Sequence, residues 1–296
     1  MQLMTRADWD GLVCAVLLGK TENIENIIFA YPHDVQTGGV AVPPDCILAN
    51  LPYHPQCAMW FDHHISELDK AQQFTFRGRF SLAPSAARLV YEYYGGAGRF
   101  PEYAELLDVT DRVDSAYLTM DDVIRPEGYV LLAYTTDPRT GFKQSHEEYF
   151  LALVQLLQTE PLDRILAHPE VKSRCERLLA EEAQFRRVLQ RYSRQEENLV
   201  ITDLRGLGEI PPGNRFLIYA LFPGANISMR LFDGREGETV VSLGHSIFNR
   251  TSRTNIGELL SLYGGGGHAG AGTAQLPGDE ADAKIAEIVA NIKADG

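Results

Sequence analysis

Residues 59–64 read MWFDHH, an apolar run that ends in Asp62, His63 and His64. This pattern is typical of a buried strand that presents chemically active side chains at its carboxyl end, the edge at which open α/β sheets place their ligands. A coincidental pair of surface histidines is the alternative interpretation. The neighbouring segments show whether other polar side chains are delivered to the same edge.

Two other predicted strands also end in polar side chains. The first, Gln2–Thr5, leads into a polar turn and an apolar, helix-like segment. Asp8 and Asp10 lie in that turn, where their spacing lets two carboxylates converge on a hard cation, although Asp10 before a glycine also suits a helix N-cap. The other strand, Cys46–Ala49, is followed by Asn50. Because carboxyl ends of parallel strands share an edge, we expect these side chains to lie near the histidine pair.

The composition indicates an ordinary globular protein without a broad basic surface. The chain has 296 residues, and 27 basic against 40 acidic side chains give a formal net charge of −13. This balance argues against general affinity for long duplex nucleic acid but leaves room for a local cationic pocket. The four cysteines have no zinc-type spacing, and no apolar run approaches the length of a membrane span. The sequence therefore predicts a cytoplasmic protein that does not enter a membrane.

The remaining sequence predicts two α/β domains, 1–195 and 196–296. A helix is expected at Ser85–Tyr94, which ends at a glycine pair, and residues 141–194 have helical character with a connecting helix. The later segments alternate between β-rich runs and helices. The β-rich runs are Leu199–Ile201, Arg215–Leu221, Ala225–Phe232 and Thr239–Leu243, and the helices are Asn255–Leu262 and Asp279–Ala294.

A further predicted helix, Pro101–Ala116, carries three carboxylates. Asp108, Asp111 and Asp114 follow one another at steps of three, which puts neighbouring members on one helical face. A solvated acidic face is the ordinary explanation of such spacing. Not all three need be functional.

Residues 264–273 read GGGGHAGAGT. Glycine loses more backbone entropy on ordering than any other residue, so an ordered run usually brings backbone N–H groups close to an anion. With His268 the run could form a phosphate-binding concavity, to which Arg230, Arg250 and Arg253 could add guanidinium groups. A flexible linker and ordinary surface arginines are the alternatives. The run lacks the features of a Walker loop and of a dinucleotide fingerprint.

In this order, the motifs resemble the DHH/DHHA1 phosphoesterase superfamily. The stretch TRADWDG at residues 5–11, DHH at 62–64, an Asp-bearing helix and the later GGGGHAGAG run match that family over nearly the whole chain. The family includes oligoribonucleases, RecJ-type exonucleases, cyclic dinucleotide phosphodiesterases and exopolyphosphatase-like proteins. The resemblance implies an α/β fold: a DHH domain with a doubly wound, mainly parallel sheet, a helical linker and a smaller α/β DHHA1 domain. It also implies Mn²⁺ or Mg²⁺ as the cofactor.

The residues and the resemblance together give the following candidates. Asp62, His64 and Arg6 are the catalytic candidates, and Asp111 matches the later metal-binding aspartate better than Asp114 does. The metal candidates are Asp8, Asp10, Asn50, His63, Asp111 and Asp114. The substrate-binding candidates are Arg230, Arg250, Arg253, Asn255, Gly265, Gly266, Gly267 and His268.

Two positions depart from the family pattern. Family members usually carry His at the position of Arg6 and a metal-bridging Asp at that of Asn50. Together these replacements add about two units of positive charge, the charge of one divalent ion, and a guanidinium close to a dication is unfavourable. We therefore expect Arg6 to pair with Asp8 and the remaining ligands to bind one ion of Mn²⁺ or Mg²⁺ instead of two.

Three functions are compatible with these features. The first is a metal-dependent phosphoesterase that hydrolyses a terminal phosphate or phosphodiester of a small nucleotide, short oligonucleotide or polyphosphate-like substrate, with Arg6 as a substitute electrophile. The second is a catalytically impaired relative that binds a phosphorylated ligand through His268 as a sensor or regulator. The third is a single-strand nucleic-acid binder, which the net charge of −13 disfavours beyond short oligomers. The family resemblance also suggests a homodimer.

Overall fold

The computed structural model describes residues 1–137 and 146–296, which form two compact units. The N-terminal unit comprises Met1–Tyr117 and Glu127–Glu176, and the C-terminal unit comprises Leu118–Pro126 and Arg177–Gly296. The division falls inside the long helix Pro169–Tyr192. The domain boundary expected between residues 195 and 196 stays a prediction. The first residues of the helical segment expected at 141–194, namely 141–145, lie outside the described residues.

Five parallel strands form the sheet of the N-terminal unit. They are β1 (Gln2–Thr5), β2 (Asn26–Phe29), β3 (Cys46–Ala49), β4 (Met59–Asp62) and β5 (Gly78–Phe80). Their order is β2-β1-β3-β4-β5, and every neighbouring pair is parallel. The chain adds β2 on one side of β1 and the later strands on the other. This reversal creates a switch point between β1 and β3, where the carboxyl ends of the strands open into a crevice.

Helices cover both faces of this sheet, which confirms the doubly wound prediction. Numbered in chain order through both units, the helices here are α1 (Trp9–Thr21), α2 (Pro32–Thr37), α3 (Leu68–Gln73), α4 (Ala86–Tyr93), α5 (Ala104–Asp114), α7 (Gly128–Tyr134), α8 (His146–Thr159), α9 (Leu162–Ala167) and the start of α10 (Pro169–Tyr192). Side chains alternate along a strand. Leu3 and Phe61 consequently pack with α1, α4, α5 and α8, whereas Met4 and Trp60 pack on the opposite face with α2 and α3.

The C-terminal unit contains a mixed six-stranded sheet. Its strands are β6 (Ser193–Glu196), β7 (Leu199–Asp203), β8 (Ile227–Asp233), β9 (Thr239–His245), β10 (Gly266–His268) and β11 (Ala271–Leu276), in the order β10-β11-β9-β8-β7-β6. Its helices are α6 (Met120–Ile124), the remainder of α10, α11 (Leu217–Leu221), α12 (Ile256–Ser261) and α13 (Ala281–Asp295). Ile201, Met229 and Leu243 pack with α12 and α13 on one face. The alternate positions of β8 and β9, which include Ser228, Arg230 and Ser242, lie on the other face.

One predicted element of this unit is wrong. The β-rich run expected at Arg215–Leu221 contains the helix α11 instead. The side chain of Asn214 accepts a hydrogen bond from the amide of Phe216 at 2.9 Å and starts the turn. Leu and Ala favour helix, and a short apolar run does not by its pattern distinguish a strand from a helix.

The glycine run is ordered. Gly266–His268 forms β10, which pairs antiparallel with β11. Gly267 has a φ of +153°, and a Cβ atom there would lie 2.2 Å from the carbonyl oxygen of Ala271. Only glycine permits this approach, so the structure excludes the flexible-linker alternative.

None of the described helices combines the length and the apolar character needed to cross a bilayer.

Candidate active site

The carboxyl ends of three adjacent strands meet at the switch point of the N-terminal sheet. Asp8 and Asp10 follow β1, Asn50 follows β3, and His63 follows β4. Because β3 lies between β1 and β4, these side chains converge at one edge. Asp10 lies in the first turn of α1, and Asp114 is the last residue of α5.

His63 faces two carboxylates. Its Nδ1 atom lies 2.9 Å from the carbonyl oxygen of Ala83. Since a carbonyl oxygen only accepts, Nδ1 carries the proton of the neutral ring and Nε2 carries a lone pair. Nε2 points at Oδ2 of Asp114, 3.3 Å away, and Oδ2 of Asp10, 3.8 Å away. The three ligand atoms that Asp10, His63 and Asp114 can offer all lie within 4.8 Å of one another.

Asp10 is held by the first amides of α4. Its Oδ1 atom accepts a hydrogen bond from the amide of Ala87 at 2.8 Å, and its Oδ2 atom accepts one from the amide of Ala86 at 2.9 Å. Burial, opposed by His63 and reinforced by Asp8, raises the pKa of Asp10 to about 6. A nearby cation would favour the charged form of such a buried carboxylate.

Asp114 completes the cluster, although the sequence favoured Asp111. Burial, together with the charges of Asp10 and Asp8, raises the pKa of Asp114 to about 8. A pKa in this range is typical of a carboxyl group that is crowded by other carboxylates. The cluster thus brings two carboxyl groups together with an imidazole, which is the composition of a cation site.

Asp111 lies one turn earlier on α5 and is directed elsewhere. Its Oδ1 atom accepts a hydrogen bond from the hydroxyl of Ser85 at 2.7 Å, and its Oδ2 atom lies 2.7 Å from the guanidinium of Arg88. Arg88 also pairs with the exposed Asp108 at 3.0 Å. Donors thus already face both oxygens of Asp111, whereas Asp114 faces His63.

His64 and Asp62 form a second imidazole–carboxylate pair. Nδ1 of His64 lies 2.8 Å from Oδ1 of Asp62, which is fully buried. This hydrogen bond raises the pKa of His64, because it stabilises the protonated ring. The His64 side chain is 41% exposed. Its Nε2 atom, on the other side of the ring from Asp62, is available as a proton donor.

Arg6 and Asn50 surround Asp8. Nε of Arg6 lies 3.0 Å from Oδ2 of Asp8, which is the expected ion pair. Oδ1 of Asp8 accepts hydrogen bonds from Nδ2 of Asn50 at 2.9 Å and from the amide of Gly11 at 3.0 Å. The N-cap role considered for Asp10 therefore belongs to Asp8. Both oxygens of Asp8 face donors, so the negative charge of this carboxylate is already compensated by protein groups.

Two backbone features make this arrangement possible. Asn50 has a φ of +57°, a left-handed conformation that Asn tolerates better than most residues. A Cβ atom at Gly11 would lie 2.1 Å from the carbonyl oxygen of Arg6. Glycine at position 11 thus lets the loop fold back over the start of α1, which places Arg6 next to Asp8.

His268 presents a hydrogen-bond donor in the C-terminal unit. The amide of Gly270 donates to its Nδ1 atom at 3.1 Å, so Nε2 carries the proton of the neutral ring. The exposed imidazole N–H suits a phosphate oxygen. His245, to which no motif points, lies beside the same turn. Its Nε2 atom is 2.9 Å from the carbonyl oxygen of Thr254.

The polar side chains predicted to accompany His268 lie in different surroundings. Asn255 caps α12 with its side chain. Nε of Arg253 donates to the carbonyl oxygen of Asp295 at 2.8 Å, and Nε of Arg250 donates to a backbone carbonyl three residues earlier at 3.0 Å. The structure thus gives Asn255 and Arg253 evident roles in holding the backbone.

Arg230 is not brought to His268. Arg230 lies on β8 and His268 on β10, with β9 and β11 between them. Three strand spacings correspond to about 14 Å. The backbone of Arg230 therefore lies three strands away from the glycine run, and the assignment of both to substrate binding stays a prediction.

Several groups that contact His63, Asp10 or the loop before Asp8 have no sequence motif of their own. The carbonyl oxygen of Ala83 fixes its ring, and the amides that hold Asp10 are set by the start of α4. Only Ser85 leaves a trace in the sequence, since a serine before a helical stretch is a common N-cap. His146, whose Nε2 atom lies 3.3 Å from the carbonyl oxygen of Ala7, leaves none.

Solved structures with similar folds identify the protein's relatives. A pGpG-specific phosphodiesterase, PggH from Vibrio cholerae, is 42% identical over 100% of this chain and 99% of its own, with a TM-score of 0.92. The DHH domain of a member of a ribosomal-protein family is 13% identical over 98% of this chain and 86% of its own, with a TM-score of 0.59. RecJ from Thermus thermophilus, in complex with Mn²⁺, is 16% identical over 99% of this chain and 52% of its own, with a TM-score of 0.56. No family model matches the chain, and no curated protein sequence matches it significantly.

The two matches of low identity show the fold alone. The match to PggH is of a different kind, because it combines 42% identity with coverage of both units. It agrees with the α/β fold and its parallel five-stranded sheet. The chain therefore belongs to the DHH phosphoesterase superfamily and is a metal-dependent hydrolase of phosphate esters.

Proposed function

We propose that this chain hydrolyses the phosphodiester bond of a short linear dinucleotide such as pGpG, with one bound ion of Mn²⁺ or Mg²⁺. The observation that carries the proposal is the 42% identity to a pGpG-specific phosphodiesterase over the length of both chains. A dinucleotide also suits a protein whose net charge of −13 disfavours long duplexes. No comparable observation favours the non-catalytic sensor.

The residues at the switch point fit a divalent ion. Nε2 of His63 is buried and makes no hydrogen bond within the described part of the chain. Imidazole nitrogen and carboxylate oxygen are both ligands of Mn²⁺, and a hydrogen bond from Nδ1 to a backbone carbonyl is a usual support of a ligating histidine. Asp10, His63 and Asp114 would hold the ion. When bound, it supplies Lewis acidity toward the phosphate ester and the attacking water.

The local charges support one ion. Ionised Asp10 and Asp114 with a neutral His63 sum to about two negative charges, which one divalent ion neutralises. Asp8, which the family pattern assigns to the metal centre, pairs instead with the guanidinium of Arg6 at 3.0 Å. Asn50 contributes no charge.

The protein's own side chains would act on both sides of the scissile bond. His64 would donate a proton to the leaving oxygen while Asp62 orients its ring. Arg6, whose side chain is 44% exposed, would stabilise negative charge on the phosphate oxygens. It would thereby replace the second metal ion that the family pattern implies. In the C-terminal unit, the N–H of His268 and the amides of the glycine run are donors that suit a phosphate group.

Two further expectations belong with this proposal. The protein is expected in the cytoplasm, in agreement with its unpaired cysteines. It is also expected to form a homodimer, which light scattering of the purified protein tests directly.

A substrate panel tests the proposed function. With Mn²⁺ present, we expect conversion of pGpG and water to two molecules of GMP, followed by chromatography, and complete loss of turnover in EDTA. The value of kcat/KM should exceed that for cyclic dinucleotides, adenosine 3′,5′-bisphosphate, pyrophosphate and polyphosphate. Faster turnover of another member of the panel would overturn the substrate assignment, and turnover of none would overturn the function.

Asp114→Asn should weaken Mn²⁺ binding more than Asp111→Asn does. Asp114 faces Nε2 of His63 at 3.3 Å, whereas Asp111 is bonded to Ser85 and Arg88. Losing a ligating carboxylate should cost at least the roughly 10- to 100-fold in affinity that changes around metal ligands cause. Calorimetric titration with Mn²⁺ measures the effect.

Asp111→Asn is the matched control for that experiment. It makes the same change one turn earlier on α5, so we expect Mn²⁺ affinity to stay within about threefold while the melting temperature falls, because a hydrogen-bonded ion pair is lost. A larger loss of Mn²⁺ affinity for Asp111→Asn than for Asp114→Asn would return the metal-ligand role to Asp111.

A further inference from the structure

The C-terminal unit contains a cavity between the last turns of α10 and the loop that follows β7. Its volume is about 290 Å³, close to the lower limit of about 300 Å³ for pockets that hold small molecules. Side chains of both segments line it, among them Arg187, Arg191 and Tyr192 of α10 and Leu207, Glu209 and Ile210 of the loop. We call it the α10 cavity. The candidate active site makes no use of these residues.

The loop that forms one wall of the cavity is fixed at both ends. The amide of Gly206 donates a hydrogen bond to Oδ2 of Asp233 at 2.7 Å. The amide of Asn214 donates one to Oε2 of Glu182, a buried residue of α10, at 2.8 Å. Two successive prolines, at positions 211 and 212, restrict the backbone between these points. The wall of the cavity is therefore held in place by the fold.

Three charged side chains line the cavity without pairing. Arg187 and Arg191 lie one helical turn apart, so their like charges repel each other. Within the described part of the chain, neither forms an ion pair or a side-chain hydrogen bond. Arg191 instead lies over the ring of Tyr192, with its guanidinium carbon 5.4 Å from the ring centre. Glu209 also forms no ion pair with any described residue, although it lines the same cavity as the two arginines.

A solvated helix face accounts for only part of this arrangement. It explains exposed arginines, but it does not explain the half-buried Tyr192, Leu207 and Ile210 that line the cavity with them. Apolar and aromatic walls with a few polar groups are the usual composition of a ligand site. A guanidinium group binds two oxygens of one phosphate, and an aromatic ring stacks with a nucleobase. The lining of the cavity therefore suits a nucleotide.

We propose that the α10 cavity is a binding site for a guanine mononucleotide. Arg187 and Arg191 bind its phosphate, and Tyr192 contacts its base. The carboxylate of Glu209 accepts hydrogen bonds from the ring N–H and the exocyclic amino group of guanine, a pair of donors that adenine does not offer. The small volume of the cavity favours a mononucleotide over a dinucleotide. This inference goes beyond the proposed hydrolysis of pGpG and does not depend on it.

The α10 cavity is separate from the glycine run. α10 leads directly into β6, whose first residue, Ser193, pairs with Thr202 at the carboxyl end of β7. His268 lies on β10, at the opposite edge of the sheet, and five strand spacings between β6 and β10 correspond to about 24 Å. A mononucleotide in the α10 cavity is therefore bound independently of His268.

Calorimetric titration of the full chain with GMP in EDTA tests the proposal. The background variant is His268→Ala, which removes the donor beside the glycine run. We expect GMP to bind in this background and its affinity to fall tenfold or more when Arg191→Gln is added. Glu209→Gln should weaken the binding of GMP but not that of AMP. Arg177→Gln, the same change at an exposed arginine about 21 Å earlier on α10, is the matched control and should leave the GMP affinity unchanged.

Melting temperature separates loss of binding from loss of folding. Without nucleotide, Arg191→Gln should melt at the temperature of its parent, because substitution of an exposed, unpaired side chain changes stability little. With GMP, the parent should melt at a higher temperature and the variant should gain less. Unchanged GMP affinity in Arg191→Gln would overturn the proposal. Equal affinities for GMP and AMP, or for GMP and inorganic phosphate, would also overturn it, because they would show that guanine is not recognised. Metal and turnover are absent from these measurements, so hydrolysis of pGpG is tested separately.

Discussion

His63→Ala is expected to reduce kcat/KM for Mn²⁺-dependent hydrolysis of pGpG by about a thousandfold or more, which corresponds to about 4 kcal/mol of transition-state stabilisation. The physical reason is the position of the lone pair on Nε2, 3.3 Å from Asp114 and 3.8 Å from Asp10. Without this nitrogen the two carboxylates have no neutral ligand between them, and their mutual repulsion opposes the charge state that a cation requires. Steady-state kinetics on pGpG measures the loss.

A second measurement ties this loss to the metal. At a Mn²⁺ concentration about 100 times its dissociation constant, the wild-type protein should gain about 2.7 kcal/mol of stability, and His63→Ala should gain none. His33→Ala, which removes an exposed imidazole from α2, is the control for loss of a histidine as such. If His63→Ala kept both its activity and its stabilisation by Mn²⁺, the assignment of the metal centre would be wrong.

The meeting of these side chains at one edge of the sheet could be predicted from the sequence, because it follows from the ends of strands. Asp10, Asn50 and His63 each come shortly after an apolar run, and parallel strands bring such positions to one edge. The order of apolar and polar residues in the sequence and the parallel arrangement of the strands therefore predict the same location. The ion pair between Arg6 and Asp8 could be predicted as well. The two side chains have opposite charges and are only two residues apart in the sequence.

Which of Asp111 and Asp114 faces His63 could not be predicted in this way. Steps of three residues keep both near one helical face, and the difference depends on Ser85 and Arg88, which lie at the start of α4 and occupy both oxygens of Asp111. Such competition is a property of tertiary packing and has no local signature. The same holds for the carbonyl oxygen of Ala83, because any residue at that position would offer it.

The separation between Arg230 and His268 could not be predicted from the sequence either. The sequence grouped it with His268 because both belong to the same half of the chain and both suit an anion. The strand order separates them, since β9 and β11 lie between β8 and β10. Order within a mixed sheet is set by long-range pairing, which the alternation of side chains along each strand does not encode.

Replacing Arg6 by His and Asn50 by Asp together is expected to raise the bound Mn²⁺ from one ion per chain to two. The double variant removes one positive charge and adds one negative charge around Asp8, and it releases the Oδ2 atom that Arg6 holds at 3.0 Å. The new carboxylate at position 50 and the released Asp8 then bring about two further negative charges, which suit a second divalent ion. Elemental analysis of metal-loaded, desalted protein counts the ions.

The single variants show why both changes are needed. Arg6→His alone leaves Asp8 bonded to the side-chain amide of Asn50 at 2.9 Å and to the backbone amide of Gly11, and it supplies only one of the two carboxylates. Asn50→Asp alone puts a second carboxylate beside Asp8, but the guanidinium of Arg6 neutralises one of them and repels a dication by several kcal/mol at about 4 Å. Each single variant should therefore keep one ion. Two bound ions in the wild-type protein would refute the hypothesis that Arg6 takes the place of a metal ion. One bound ion in the double variant would show that charge alone does not define the second metal site.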